Sequence, residues 1–148
     1  MKALKNLAIF SLVVFAFASC NKTEEETVVA PLNGVKLIVT VPANTVGDIH
    51  VVGSYDGKHD GADSWKPEKV KYKLTKQGDG TYSVTLPNEA IVEPLGLEYK
   101  YVAGNSWAQV EATTDCKDNL PNRKIEPGTK NVEKKETIVN WFHLAPCK

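Results

Sequence analysis

Histidine and cysteine are scarce in this 148-residue chain, with three of each. His50, His59 and His143 have no recognisable motif around them. No third or fourth Cys or His stands at the spacing a zinc site needs. The chain also lacks a Gly-x-Ser-x-Gly elbow and a Gly-rich phosphate loop. Its acidic residues are scattered over loop-like segments, the pattern of a solvated surface, whereas glycoside hydrolysis needs two carboxylates brought together. These absences argue against an enzyme and against a metal or cofactor. Charge of one sign is lacking too, since eighteen basic residues balance eighteen acidic ones. Without a basic stripe the chain has no electrostatic footprint for nucleic acid. Sustained helical periodicity is missing outside the first nineteen residues, and there is no internal repeat.

What is present begins with an export signal, read over residues 1–19. Lys2 and Lys5 make a basic start, and Leu7 to Ala18 is an apolar run too short to span a bilayer with ease. It ends in Phe17-Ala-Ser-Cys20, which resembles the bacterial lipobox. The resemblance implies that Cys20 is the first mature residue and carries the lipids; the alternative is an ordinary cleavage nearby, with Cys20 a plain thiol. Residues 20–34 then read as a flexible tether, polar and acidic at Glu24 to Glu26 and broken from the first strand by Pro31 and Gly34. Acidic residues soon after the lipidated cysteine resemble the surface-export signal of Bacteroidetes lipoproteins. That implies an outer-membrane protein facing the cell surface, with the periplasmic face as the other option.

Without Lys2 and Lys5, sixteen basic residues face eighteen acidic ones, a slightly acidic mature chain. Residues 35–148 suffice for one small domain with a real core. With Cys20 assigned to the lipid, Cys116 and Cys147 remain as an even pair in a compartment that permits disulfides. A bridge between them ties the C-terminal tail to the polar loop 112–121.

Within that domain, period-two alternation marks strands. Val35, Leu37, Val39 and Val41 share one face of the first. Ile49 to Val52 forms a second, and Lys71 to Thr75 is short and extended. Asp79-Gly80 signals a hairpin, after which Tyr82, Val84 and Leu86 alternate with Thr81, Ser83 and Thr85. In Leu97 to Val102, Leu97, Tyr99 and Tyr101 face one side and Glu98, Lys100 and Val102 the other. Trp107 to Glu111 is expected to return as a strand, Arg123 to Ile125 is short, and Glu136 to Leu144 reads as the last strand, with Trp141 in the core. Short strands punctuated by turns argue for an all-β fold, a sandwich or small barrel.

Two tryptophans sit in polar, turn-rich contexts. Trp65 lies in the loop 54–68, which holds two glycines, a proline and three aspartates. Trp107 follows a Gly-Asn-Ser turn. An exposed indole face suits the apolar C–H face of a sugar, by the physics that stacks nucleic-acid bases on aromatic side chains, while nearby polar groups set orientation. Burial in the core is the competing reading, since tryptophan is highly buried on average. Taken in order, Val51-Val-Gly-Ser, Ser64-Trp-Lys-Pro, Asp79-Gly-Thr-Tyr-Ser-Val-Thr-Leu-Pro, Leu97-Glu-Tyr-Lys-Tyr-Val and Pro121-Asn-Arg-Lys-Ile resemble the starch-binding domain family, the family-twenty carbohydrate-binding modules, and the related glycogen-binding modules. The resemblance covers roughly residues 35–144. It implies an immunoglobulin-like antiparallel β-sandwich that binds α-glucan without catalysing a reaction, at a site made of Trp65, Lys100, Trp107 and Asn122. It also implies a second sugar site, built from tyrosines on the other side of the domain, to which Tyr55 would correspond. Many members carry a tryptophan directly before the glutamate, whereas here Val110 precedes Glu111 and Trp107 lies three residues earlier, closer to the glycogen-binding pattern. The expected setting is a lipid-anchored protein working beside surface glycan-degrading or uptake proteins. A structural or protein-interaction module without glycan binding is the alternative, and an accessory domain for another polymer is a second one.

Overall fold

The computed structural model describes residues 32–55, 62–117, 120–144 and 146–147. The export signal 1–19, Cys20, most of the tether and residues 56–61 of the loop before Trp65 lie outside these described residues.

Ten strands are present among them: β1 (Val35–Thr40), β2 (Ile49–Gly53), β3 (Tyr72–Lys73), β4 (Thr75–Lys76), β5 (Tyr82–Leu86), β6 (Leu97–Ala103), β7 (Glu111–Ala112), β8 (Arg123–Ile125), β9 (Val132–Thr137) and β10 (Asn140–Trp141). They form one sheet of order β4-β5-β1-β9, a second of order β3-β2-β6-β8, and the pair β10-β7. The fold is all-β and sandwich-like, as the alternation predicts. Val35, Leu37 and Val39 from β1, and Leu97, Tyr99 and Tyr101 from β6, are buried and meet in one apolar core with Ile49, Val51, Leu86 and Trp141. Burial on this scale is the main favourable term in folding.

Three elements depart from the expectation. The segment 71–75 is divided between sheets: Tyr72 and Lys73 pair with β2, whereas Thr75 and Lys76 pair with β5. Buried Leu74 makes the corner, and its N–H donates to the Ile49 carbonyl at 2.8 Å. The sandwich is not wholly antiparallel, because β9 runs parallel to β1, from Val35↔Val132 to Thr40↔Thr137. The expected strand from Glu136 to Leu144 breaks after β9. Ile138 and Trp141 are both buried. Three positions apart, they cannot share one face of a continuous strand, whose side chains alternate with period two. The chain therefore turns between them, and Asn140 and Trp141 pair with β7. Trp141 is a core residue, and its Nε1 donates to Thr45 Oγ1 at 2.8 Å.

A polar network joins the sheets where β9 passes β8. The phenols of Tyr99 and Tyr101 donate to the two oxygens of Glu136 at 2.8 and 2.6 Å. Arg123 Nε donates to Glu111 Oε2 at 2.8 Å, and its Nη1 lies 3.6 Å from Glu136. Burial, then the Glu136 charge, pushes both phenols far above their ordinary pKa. Cys116 and Cys147 are disulfide-bonded, with Cα atoms 5.1 Å apart. The tail is thereby tied to the loop after β7.

Candidate functional site

The second sheet carries the candidate site on its outward face. Along β6 that face presents Glu98, Lys100 and Val102. The first two are half-buried, but Val102 is fully covered. It packs with Val52, Val110 and Phe142 in a small second apolar cluster. Val102 bridges to Val110, whose N–H donates to the Trp107 carbonyl at 3.3 Å. This cluster is the floor under the Trp107 turn. Residues Trp107–Gln109 form a single 3-10 turn instead of the start of a strand, and the Trp107 side chain stands out at 40% exposure. The reversal before it uses Gly104 at φ 93, a left-handed conformation that glycine adopts without penalty.

Trp65 reaches the same region from the other end of β2. Its N–H donates to the Gly53 carbonyl at 3.0 Å, and the buried Ser64 hydroxyl donates to the Tyr55 carbonyl at 2.8 Å. Gly53 itself lies so close to β6 that a Cβ there would meet the Glu98 carbonyl oxygen at 2.3 Å. That close approach accounts for the glycine of the Val-Gly-Ser motif. Trp65 has a φ of 54°, rare for a bulky side chain. The surrounding contacts hold it there, half-buried. Its ring centroid is 6.4 Å from that of Trp107, with the planes inclined by 30°. The two indoles are thus close neighbours, tilted relative to one another.

Lys100 stands opposite Val52, on the rung next to the Gly53–Tyr99 pair on which Trp65 docks. Its ammonium donates to the Leu120 carbonyl. Asn122 Nδ2 donates to Glu98 Oε2 at 3.0 Å, and Lys124 Nζ lies 2.9 Å from Glu98 Oε1. The hydrogen bond to Glu98, and then its charge, raises the Lys124 pKa. A cavity of about 260 Å³ borders this segment and is lined by Leu120, Pro121, Asn122, Arg123 and Glu111. Lys100 and Asn122 are therefore joined through one short stretch of chain. Glu98 is a polar neighbour of Asn122 that the motifs do not point to. Its position two residues before Lys100, on the same face of β6, was the available signal.

Tyr55 does not join the set. It is 2% exposed, its hydroxyl donates to the Val51 carbonyl, and its ring packs edge-on against Tyr72 with centroids 5.0 Å apart. Burial also raises its phenol pKa. The residue belongs to the core, with its ring packed among the buried side chains of the sandwich.

Among the described residues no group of three or more His, Cys, Asp or Glu is placed to hold a metal ion. No helix among them is long and apolar enough to cross a membrane. No protein-family model and no curated protein matches the chain. Among solved structures the chain is similar to part of the glucoamylase of Hormoconis resinae, at 15% identity and a TM-score of 0.42. The match covers 75% of this chain and 17% of that one.

Proposed function

We propose that this protein is a non-catalytic binder of α-linked glucan, anchored to the outer membrane through Cys20 and facing the cell surface. The observation that carries the reading is the pairing of Trp65 and Trp107, with centroids 6.4 Å apart and planes 30° from parallel. Two such rings offer a broad apolar platform of little flexibility, inclined to follow a curved chain of hexoses. Lys100 and Asn122 supply polar contacts at the hydroxyl edges, and the resemblance of the ordered motifs to starch-binding domains supports the same assignment. Binding at one site is weak, because few groups engage and loop side chains must be ordered. Many anchored copies compensate by raising the effective concentration of sites. The protein then holds polymer near separate surface enzymes or uptake proteins.

Affinity electrophoresis and calorimetry with amylose, glycogen and maltoheptaose test this reading. The parent protein binds, and Trp65→Ala combined with Trp107→Ala does not. Full retention of binding by that double variant removes the site. Silence across a wider glycan panel favours a protein-interaction module, since a sandwich fold does not by itself fix function.

A further inference from the structure

Two side chains on the outward face of β6 hold the segment that leads into β8. Glu98 and Lys100 are two residues apart, so the pleat directs both to the same side. Lys100 fastens the main chain at the Leu120 carbonyl. Glu98 fastens two side chains, accepting from Asn122 Nδ2 at 3.0 Å through Oε2 and pairing with Lys124 at 2.9 Å through Oε1. Both carboxylate oxygens of Glu98 thus face donors, an amide on one side and an ammonium on the other.

An ionised carboxylate accepts hydrogen bonds and donates none. It can therefore be met by the NH₂ group of Asn122 but not by the carbonyl oxygen Oδ1. The orientation of that amide follows from chemistry alone: Nδ2 turns to Glu98 and Oδ1 turns away from it. Asn122, which could otherwise offer a donor or an acceptor, is committed to offering an acceptor. Lys100 is donor-only, so the two residues, one on β6 and one in the segment that Lys100 fastens, have opposite hydrogen-bonding characters. Adjacent hydroxyls of a hexose ring, each able to donate or accept, match that arrangement.

We propose that Glu98 is a positioning residue for glycan recognition, locking the Asn122 amide so that its Oδ1 accepts a hydrogen bond from a sugar hydroxyl. This inference rests on the glucan-binding reading and adds the direction of one hydrogen bond and the residue that sets it.

The test is calorimetry with maltoheptaose on the purified protein and five variants, each checked for its melting temperature. Glu98→Ala and Asn122→Ala each weaken binding about five- to tenfold, the scale of one hydrogen bond. The double alanine variant is no weaker than Asn122→Ala. Asn122→Asp sets two carboxylates against each other and weakens binding at least as much. Adding Glu98→Gln to Asn122→Asp restores binding, because the introduced amide then donates to one oxygen of the introduced carboxylate and leaves the other to accept from the sugar. Additive losses in the alanine cycle overturn the proposal, since Glu98 would then act on the ligand directly. Absence of rescue in the Glu98→Gln, Asn122→Asp pair overturns it as well, even if Glu98→Ala proves too unstable to measure. A parent protein that binds no maltoheptaose removes the glucan reading and this one with it. A parent that binds through Trp65 and Trp107 but shows an additive cycle removes this one alone.

Discussion

Trp107→Ala and Trp141→Ala separate the roles of an exposed and a buried tryptophan. Trp107 is 40% exposed and rests on a single 3-10 turn whose link to Val110 runs through main-chain atoms. Replacing it leaves those hydrogen bonds in place, and the floor of Val52, Val102, Val110 and Phe142 stays packed. The stability cost should be about 1 kcal/mol, the centre of the range for single substitutions and well short of a core truncation. Its contribution to ligand binding is larger. Stacking of a ring on an aromatic side chain is worth roughly 1–3 kcal/mol, or about five- to 150-fold in affinity. Trp141→Ala is the counter-example. Trp141 is fully buried and hydrogen-bonded to Thr45, so truncation costs about 3–5 kcal/mol and threatens the fold. The measurement is a thermal melt and a maltoheptaose titration on the same samples. Trp107→Ala should melt near the parent and bind at least about fivefold more weakly, the lower end of that stacking range. If it binds like the parent, the stacking argument is wrong. If its affinity falls only in step with its melting temperature, the ring is a structural prop and not a platform.

Three further outcomes concern the rest of the molecule. Removing the disulfide with Cys116→Ser and Cys147→Ser frees a loop with a sequence separation of 31. Chain entropy puts the loss at about 3–4 kcal/mol, a fall in Tm on the order of 10–20 °C, and an unchanged melt would show that the tail adds nothing to the fold. Arg123→Met leaves the almost fully buried Glu111 carboxylate without its cation, at a cost of about 3–5 kcal/mol. Glu111→Gln keeps an acceptor for the Tyr101 N–H and should cost less; the reverse order in chemical denaturation refutes the buried-charge account. His50 is buried on β2, and its Nδ1 has no hydrogen-bond partner among the described residues. Burial lowers its pKa, with Asp48 opposing that shift and Lys73 reinforcing it. The neutral form is favoured in the folded state, so this stability is present above the ordinary value of 6.5 and is lost as pH falls below it toward the depressed folded value. Denaturation midpoints measured between about pH 7.5 and 5 should fall, and His50→Leu should flatten that dependence; an equal slope in both proteins rules His50 out as its source.

The distance over which side chains report their surroundings separates what was legible in the sequence from what was not. β1, β5 and β6 were legible because each buries one face, and alternation within a few residues records it. Val35, Leu37 and Val39 need no knowledge of their partners to be read as inward-facing. β9 carries no such record. It lies at the edge of its sheet, most of its side chains are exposed, and its sequence, Val-Glu-Lys-Lys-Glu-Thr, looks like loop. Its place is set by pairing with β1, as in Lys36 with Glu133, 97 residues apart. The break between Ile138 and Trp141 has the same origin, because only the partner β7 stops the alternation from continuing. The candidate site divides along this line too. Trp65 and Trp107 each stood out as tryptophans in turn-rich loops, but their approach depends on Gly53 letting β2 close on β6 and on a buried valine floor that reads locally as strand. Tyr55 had a similar local context to Trp65 and went inward, where its hydroxyl reaches the Val51 carbonyl and its ring meets Tyr72, contacts that the loop sequence does not record. Glu98 was hidden for the same reason. A glutamate on an outward strand face is ordinary until Asn122, 24 residues later, is brought beside it. Composition and periodicity therefore single out the residues of the proposed site, whereas the contacts that surround its polar groups are created only by the closed sheet.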